Sequence, residues 1–339
     1  MRTRRVISIV DAHAGGDASR IVVGGGPALR GATMFEKMQD LARNADWLRR
    51  LIIQEPRGAP HMSGVLVLPP LHPGTDVGVI FMESVGYPPM SGSNAMCAVT
   101  VILETGIVAM REPETRLVLD TPGGPVPVIA RCRDGRCVDV RFENVPAVVT
   151  HLGHSLHVSG FGAIPVDIAY GGVFHVIVEA RALGLWLTRE EIGRLLRVGR
   201  RVTRVADRRL SARHPGNPDI GGIRFSIFSL LEATEGAGGV ATRCAVYQEP
   251  GLVCRSPTGT GASARLAAMH ARGEIGVGEL MISRSVIGSR FDAEILGTVA
   301  LAGRTAVRTA VTGQAWITGM YQILLDPEDP FPEGFLVGA

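Results

Sequence analysis

The chain is poor in lysine and has no long apolar segment. Lys37 is the only lysine among 35 basic residues, the formal net charge is +3, and the arginines form no dense basic run. This pattern does not favour binding to nucleic acid or to a membrane surface. A membrane-spanning helix needs about 18 or more consecutive apolar residues, and no such stretch occurs. We therefore expect a soluble globular protein with neither of these partners.

Cysteine is also sparse. The chain has five cysteines, an odd number without a repeating framework: Cys97, Cys132, Cys137, Cys244 and Cys254. Such a set favours reduced thiols and a cytoplasmic location. Cys132 and Cys137 flank an Asp-Gly pair, so we expect them to face each other across a hairpin. The apolar run from Val6 to Val10 is too short for a signal peptide and is predicted to be the first strand.

Glycine and proline, by contrast, are abundant. The 43 glycines and 21 prolines separate many short β-branched runs, which indicates a strand-rich fold. With 339 residues and 46% apolar content, the chain can form two domains with their own cores. Thr33 with Glu36, and Thr188 with Glu191, have the spacing of helix capping boxes and predict two amphipathic helices.

Two further segments, 94–105 and 262–272, predict a different kind of helix. The first is apolar on every side, the second is rich in small helix formers, and both follow a glycine turn, so both should be enclosed by protein. Ser91 and Thr258 lie in the turns just before these segments and are 167 residues apart. The same separation recurs further along both segments, which predicts an internal duplication with a boundary near Pro146.

The turns before these helices are the candidate binding and catalytic sites. Each has a hydroxyl residue, Ser91 or Thr258, followed by a glycine that lets a ligand approach the backbone. The unpaired amides at a helix start attract anions, and a carboxylate is a natural small one. The alternative interpretation is that Ser91 and Thr258 are ordinary N-cap residues, because serine and threonine are preferred there.

A family resemblance follows from five segments in order along the chain. They are DAHAGGDASRIVVGG (11–25), EPRG (55–58), MSGSNAMCAVTVILETG (90–106), DIAYGGVFHVIV (167–178) and RSPTGTGASARLA (255–267). Together they resemble the successive motifs of the proline racemase superfamily.

The resemblance implies an α/β (α+β) fold of two pseudo-symmetric lobes. Each lobe would be a curved sheet or barrel around a central helix, with the active site in the cleft between them. The lobes would comprise residues 1–145, with 305–339 crossing back, and 146–304. The resemblance implies a small-molecule substrate, proline or hydroxyproline, and no cofactor or metal, and it is compatible with a homodimer.

The catalytic roles implied by the resemblance depend on Ser91 and Thr258. Racemases and epimerases of this family usually have cysteine at both positions, and a free alcohol is a poor general base compared with a thiol. The turn at Thr258 resembles the branch that dehydrates trans-3-hydroxy-L-proline to pyrroline-2-carboxylate, where threonine replaces the second cysteine. This resemblance implies that Ser91 is the base and that Thr258 orients the leaving hydroxyl or a water.

The substrate-binding positions carried over from the family are Gly92, Ser93, Asn94, Cys254, Gly259 and Thr260. Three of the candidate site positions depart from the family pattern. Ser91 stands where most dehydratases keep cysteine, Ser93 where many members have histidine, and Cys254 where aspartate usually binds the ring amine. Two other functions stay open: a racemase or epimerase of proline or 4-hydroxyproline, and a silent protein that binds a proline analogue.

Several other residues could suggest sites. His151, His154 and His157 recur every third residue, but the surrounding alternation favours an irregular strand over a metal site. Gly171 could contact substrate or mark a kink in a core strand. His13 could line the site or be a structural histidine with satisfied hydrogen bonds.

Overall fold

The computed structural model describes residues 5–84, 86–233, 239–326 and 328–337. Strands account for 47% and helices for 21%, which confirms the strand-rich α/β class. The chain divides into two compact units, Met1–Phe142 with Gly313–Ala339, and Glu143–Thr312. No helix in the described part of the chain is long and apolar enough to cross a membrane.

The elements below are numbered in chain order. The first strands are β1 (Arg5–Ala14), β2 (Asp17–Gly24), β3 (Ser63–Leu68), β4 (Val77–Met82), β5 (Glu114–Thr121), β6 (Gly124–Arg133) and β7 (Arg136–Glu143). The next are β8 (Val148–Val158), β9 (Gly162–Tyr170), β10 (Phe174–Glu179), β11 (Arg213–His214), β12 (Asn217–Gly221), β13 (Ile223–Glu232) and β14 (Val240–Gln248). The last are β15 (Leu252–Val253), β16 (Leu280–Ser285), β17 (Arg290–Leu301), β18 (Arg304–Gly313) and β19 (Ala315–Leu325). The α-helices are α1 (Met34–Asn44), α2 (Trp47–Ile53), α3 (Gly92–Glu104), α4 (Ile192–Arg209) and α5 (Gly259–Ala271).

Both units have the same sheet topology. In the first unit the strands lie in the order β19-β1-β2-β3-β4-β5-β6-β7, and the β2–β3 and β4–β5 pairs are parallel. In the second unit the order is β8-β9-β10-β13-β14-β16-β17-β18, and the β10–β13 and β14–β16 pairs are parallel. The succession of antiparallel and parallel neighbours is therefore identical. Of the two forms expected, a curved sheet or a barrel, the described strands form open sheets, so the barrel alternative is wrong.

An enclosed helix fills the same place in each unit. Helix α3 packs against β1, β2, β3 and β19, and α5 packs against β8, β9, β10 and β17. Almost every residue of both helices is buried. This confirms the prediction, and its cause is that the helices carry apolar or small side chains on every face. Each helix lies in the crossover between two parallel strands, where a helix normally connects such strands.

Only one of the two predicted capping boxes forms. The hydroxyl of Thr33 accepts a hydrogen bond from the amide of Glu36 at the start of α1, as predicted. The prediction at Thr188 is wrong, because its hydroxyl bonds to Glu190 and makes no cap. A turn of 3₁₀-helix therefore precedes α4.

The smaller predictions have mixed outcomes. Cys132 and Cys137 are paired across the β6–β7 hairpin, as expected, and both are free thiols. Strand β8 contains His151 and His154 and has two register shifts, so the irregular strand is confirmed. In the described residues no cluster of His, Cys, Asp or Glu could hold a metal ion.

Candidate active site

In the first unit, Ser91 lies at the start of α3, and its hydroxyl does not cap the helix. Its backbone is extended, with φ −144° and ψ 116°, and its side chain makes no capping hydrogen bond to the helix. The residue is only 7% exposed. The ordinary N-cap interpretation therefore does not account for this hydroxyl.

A short chain of hydrogen bonds orients the Ser91 hydroxyl. The hydroxyl of Ser63 on β3 lies 2.6 Å from Asn94 Oδ1 and 3.0 Å from the carbonyl oxygen of Ala18, and its one proton is shared between these two acceptors. On its other side Asn94 Nδ2 donates to Ser91 Oγ at 2.9 Å. Because the oxygen of Ser91 accepts from Asn94, its proton is directed to another acceptor, and the side chain of Glu83 bonds to it.

Glu83 has a pKa that suits a general base. Burial of the carboxyl group raises its pKa, the negative charge of Asp17 raises it further, and the hydrogen bond from Ser91 opposes both, which leaves a pKa of about 7. A base with a pKa near the working pH combines a useful ionised fraction with a strong pull on a proton. Near neutral pH the pair Glu83 and Ser91 can therefore accept a proton through the serine oxygen.

The sequence predicts Ser91 as a base activated by a neighbouring group, but it does not identify Glu83 and Asp17. Glu83 directly follows β4, whose six residues are all buried. An acidic residue at the end of a fully buried strand, eight positions before the candidate base Ser91, is the signal that could have identified it. Asp17 begins β2, and no local pattern connects it with Ser91.

In the second unit, Thr258 occupies the equivalent place before α5 but has different surroundings. Its φ of +57° lies in the left-handed region, which a β-branched residue rarely adopts. Its side chain makes no capping hydrogen bond, and among the described residues its buried Oγ1 has no hydrogen-bond partner. The turn thus holds a strained backbone and an unsatisfied hydroxyl, both of which are typical of functional positions.

Gly261 makes room for that hydroxyl. A Cβ atom at position 261 would lie 2.1 Å from Thr258 Oγ1, which is closer than two such atoms can approach. The glycine of the Thr-Gly-Thr-Gly turn therefore has a steric role in the second unit. Gly171 has a similar role, since a Cβ there would lie 2.2 Å from the carbonyl oxygen of Thr260. This close approach to α5 favours the packing interpretation of Gly171 over substrate contact.

Both helix starts have three backbone amides without an acceptor in the helix, the feature on which the anion-binding prediction depends. The first amide that bonds back within α3 is that of Ala95, to the carbonyl of Ser91 at 2.9 Å. The corresponding bond in α5 runs from Ala262 to Thr258 at 3.0 Å. The three amides before each of these, at 92–94 and 259–261, have no acceptor within the helix and lie at its positive end.

The remaining substrate-binding predictions are distributed over the two units. Gly92, Ser93 and Asn94 form the first turn of α3, where the side chain of Asn94 is already bonded to Ser91. Gly259 and Thr260 begin α5, and both are buried. Cys254 is partly exposed, with its Sγ 3.9 Å from Gln248 Oε1.

His13 does not match the structural role considered for it. Its ring stacks on that of Trp316 in the same unit, with 5.2 Å between the centroids. In the described part of the chain, its buried Nδ1 has no hydrogen-bond partner. A histidine held only for structure would normally have this atom satisfied.

Solved structures with the same fold include two that are similar throughout. A hydroxyproline epimerase from Agrobacterium vitis, with bound trans-4-hydroxy-L-proline, is 36% identical, with a TM-score of 0.93 over 99% of this chain and 96% of that chain. A probable proline racemase from Agrobacterium radiobacter K84, with bound carbonate, is 37% identical, with a TM-score of 0.93 over 98% of this chain and 96% of that chain. A methylitaconate-delta-isomerase at 15% identity, with a TM-score of 0.57 over 95% of this chain and 96% of that chain, shares the fold alone.

The family model described as proline racemase matches residues 9–336. That range includes both turns and both enclosed helices. The chain therefore belongs to the proline racemase family.

Proposed function

We propose that the protein dehydrates trans-3-hydroxy-L-proline to pyrroline-2-carboxylate, without a cofactor, with Ser91 and Glu83 as the base. The observation that carries this proposal is the difference between the two turns. Ser91 is bonded to a carboxylate with a pKa of about 7, whereas among the described residues Thr258 Oγ1 has no hydrogen-bond partner. Racemisation needs a competent acid or base on each face of Cα, and dehydration needs one.

The first step is removal of the Cα proton. The Ser91 oxygen takes this proton while its own proton moves to Glu83, so the Cα–H bond breaks and the electron pair is delocalised into the substrate carboxylate. The amides at the start of α3 stabilise the negative charge that develops there. Because Glu83 ends this step protonated, it is the acid available for the next one.

The second step is loss of the 3-hydroxyl group. In trans-3-hydroxy-L-proline the Cα hydrogen and the hydroxyl are on the same face of the ring, because both lie opposite the carboxylate. The group that took the Cα proton can therefore return it to the departing oxygen. The C3–O bond breaks, water leaves, and the enamine tautomerises to the cyclic imine, so that one water is lost and no redox partner is needed.

In this mechanism Thr258 does not titrate. Its hydroxyl donates a hydrogen bond to the substrate or to the water that leaves, which fits a buried oxygen that has no hydrogen-bond partner among the described residues.

A second candidate is an epimerase of 4-hydroxyproline. It is favoured by the 36% identity with the hydroxyproline epimerase that was solved with trans-4-hydroxy-L-proline. For that reaction Thr258 would have to deliver a proton to the opposite face of Cα. A neutral alcohol without a charged partner is a weak acid for this purpose.

The experiment that separates these functions incubates the purified protein in D₂O with trans-3-hydroxy-L-proline, trans-4-hydroxy-L-proline and L-proline in parallel. We expect a pyrroline imine from the first, detected with an aldehyde trapping reagent and by NMR. Epimerised 4-hydroxyproline with deuterium at Cα, and no imine from the 3-hydroxy isomer, would overturn the proposal in favour of the epimerase. Binding of all three without any product would indicate the silent binding protein.

A further inference from the structure

The second unit contains a cavity of about 250 Å³ beside the second half of α5. On the helix side it is lined by Arg265, Ala268, Met269 and Arg272. At a rise of 1.5 Å per residue, these positions lie roughly 10 to 20 Å along the axis from Gly259, where the helix begins. The cavity is thus separate from the turn at Thr258.

Arg265 places a buried positive charge on this cavity. The residue is 4% exposed, and its Nη1 donates to the hydroxyl of Thr242 at 2.9 Å. That partner is neutral. Burial lowers the pKa of Arg265, which means that the surroundings solvate the charged form worse than water does. A buried guanidinium is stabilised most when a carboxylate pairs with it.

Arg272, at the other end of the same lining, is already paired with a carboxylate. Its Nη2 donates to Asp167 Oδ1 at 2.6 Å, and its Nη1 bonds to the second oxygen of the same carboxylate. Both residues line the cavity. Arg265 is bonded to a neutral hydroxyl, so a ligand carboxylate would be stabilised more by Arg265 than by Arg272.

Apart from Ser229, the rest of the lining carries negative charge or is apolar. Glu179 and Glu274 are exposed at the rim, and Ile177, Ala268 and Met269 form apolar walls. Both glutamates attract Arg265 through space. A ligand with a carboxylate for Arg265, an ammonium group for the glutamates and a small apolar body would satisfy all three kinds of surface.

We propose that this cavity is a second binding site, for a free α-amino acid with a small apolar side chain. The ligand carboxylate pairs with Arg265, its ammonium group pairs with Glu179 at the rim, and its side chain packs on Ile177 and Met269. The volume suits a molecule of this size, since sites for larger drug-like ligands start at about 300 Å³. The proposal does not depend on the dehydratase activity.

L-Valine is the probe for this site, and methionine methyl groups are the reporters. In the full protein labelled with ¹³C at methionine methyls, Met269 reports on the cavity and Met90, next to Ser91, reports on the turn of the first unit. We expect L-valine to shift the Met269 signal with a Kd of about 1 mM or lower and to leave Met90 unchanged. Isovalerate lacks the ammonium group and isobutylamine lacks the carboxylate, and each should bind at least tenfold more weakly.

The variant that tests the site is Glu179→Gln, which changes an exposed residue and should leave the fold intact. We expect it to weaken L-valine binding tenfold or more, while Glu190→Gln, an exposed change outside the lining, has no effect. An unshifted Met269 signal, a shift confined to Met90, or equal binding by both variants would overturn the proposal. The Met269 signal reports binding and not turnover, so this test gives the same answer whether or not the protein is a dehydratase.

Discussion

Asn94 donates its side-chain amide to the hydroxyl oxygen of Ser91 at 2.9 Å, and this bond decides where the serine proton points. The Asn94 carbonyl oxygen lies 2.6 Å from the hydroxyl of Ser63, so the amide is bonded on both sides. With its oxygen occupied by Asn94, Ser91 directs its proton to Glu83. The geometry therefore pre-orients a proton relay before any substrate is bound.

The first prediction concerns the relay atom. Ser91→Ala removes the oxygen that connects the substrate with Glu83 but leaves the amides of the helix start in place. We expect kcat for dehydration to fall by about 10² to 10⁴, the usual contribution of general acid–base catalysis, with substrate binding nearly unchanged. Steady-state kinetics and calorimetric titration with L-proline measure the two effects. Unchanged kcat in this variant would exclude Ser91 from the mechanism.

The second prediction concerns stability and Glu83. A carboxyl group whose pKa is raised from 4.5 to about 7 on folding holds its proton better in the folded state. Its contribution to stability is therefore present below about pH 4.5 and is lost as the pH rises through 7. Glu83→Gln cannot ionise, so its Tm relative to the unmodified protein should increase between pH 4.5 and pH 8. Thermal unfolding at several pH values tests this, and a difference that is constant with pH would contradict the raised pKa.

The third prediction concerns the space beside Thr258. Gly261→Ala would put a methyl group 2.1 Å from Thr258 Oγ1, so that the hydroxyl must move. We expect turnover to fall at least tenfold. The matched control is Gly193→Ala in α4, where the new atom would make ordinary contact with Arg197 at 3.7 Å and turnover should not change. Equal activity of both variants would show that the position of Thr258 is irrelevant.

The fourth prediction concerns the asymmetry of the two turns. Thr258→Cys supplies a group that can ionise where the second turn has only an alcohol, and a thiol has an ordinary pKa of about 8.5. We expect this variant to gain exchange of the Cα hydrogen of L-proline with inversion in D₂O, and we expect no such exchange in the unmodified protein. Chiral chromatography and NMR detect D-proline with deuterium at Cα. The same exchange in the unmodified protein would contradict the assignment of one base.

Much of the fold could be predicted from the residues. The apolar surface of the segment at 94–105 predicted an enclosed helix, and α3 is buried as expected. The Thr33 capping box formed because its hydroxyl is free to accept from Glu36. At Thr188 the same spacing failed, since the neighbouring Glu190 competes for the hydroxyl.

The candidate site was less accessible to sequence reasoning. The turns at Ser91 and Thr258 were visible as local patterns of hydroxyl and glycine, but Ser63 and Asp17 come from other strands. Their influence on Asn94 and Glu83 depends on tertiary packing, and no local period encodes it. The pKa of Glu83 is likewise a property of its burial and of a neighbouring charge, which are known only after folding.

The most direct test of one-base dehydration by Glu83 and Ser91 is the pH dependence of kcat/KM for trans-3-hydroxy-L-proline between pH 5 and 9. The general base is active when ionised, so a group with a pKa of about 7 predicts a tenfold rise per pH unit below 7 and a plateau above it. In Glu83→Gln this ionisation should disappear together with most of the activity. A profile that is flat through pH 7 in the unmodified protein, or one that keeps its midpoint in Glu83→Gln, would contradict the account.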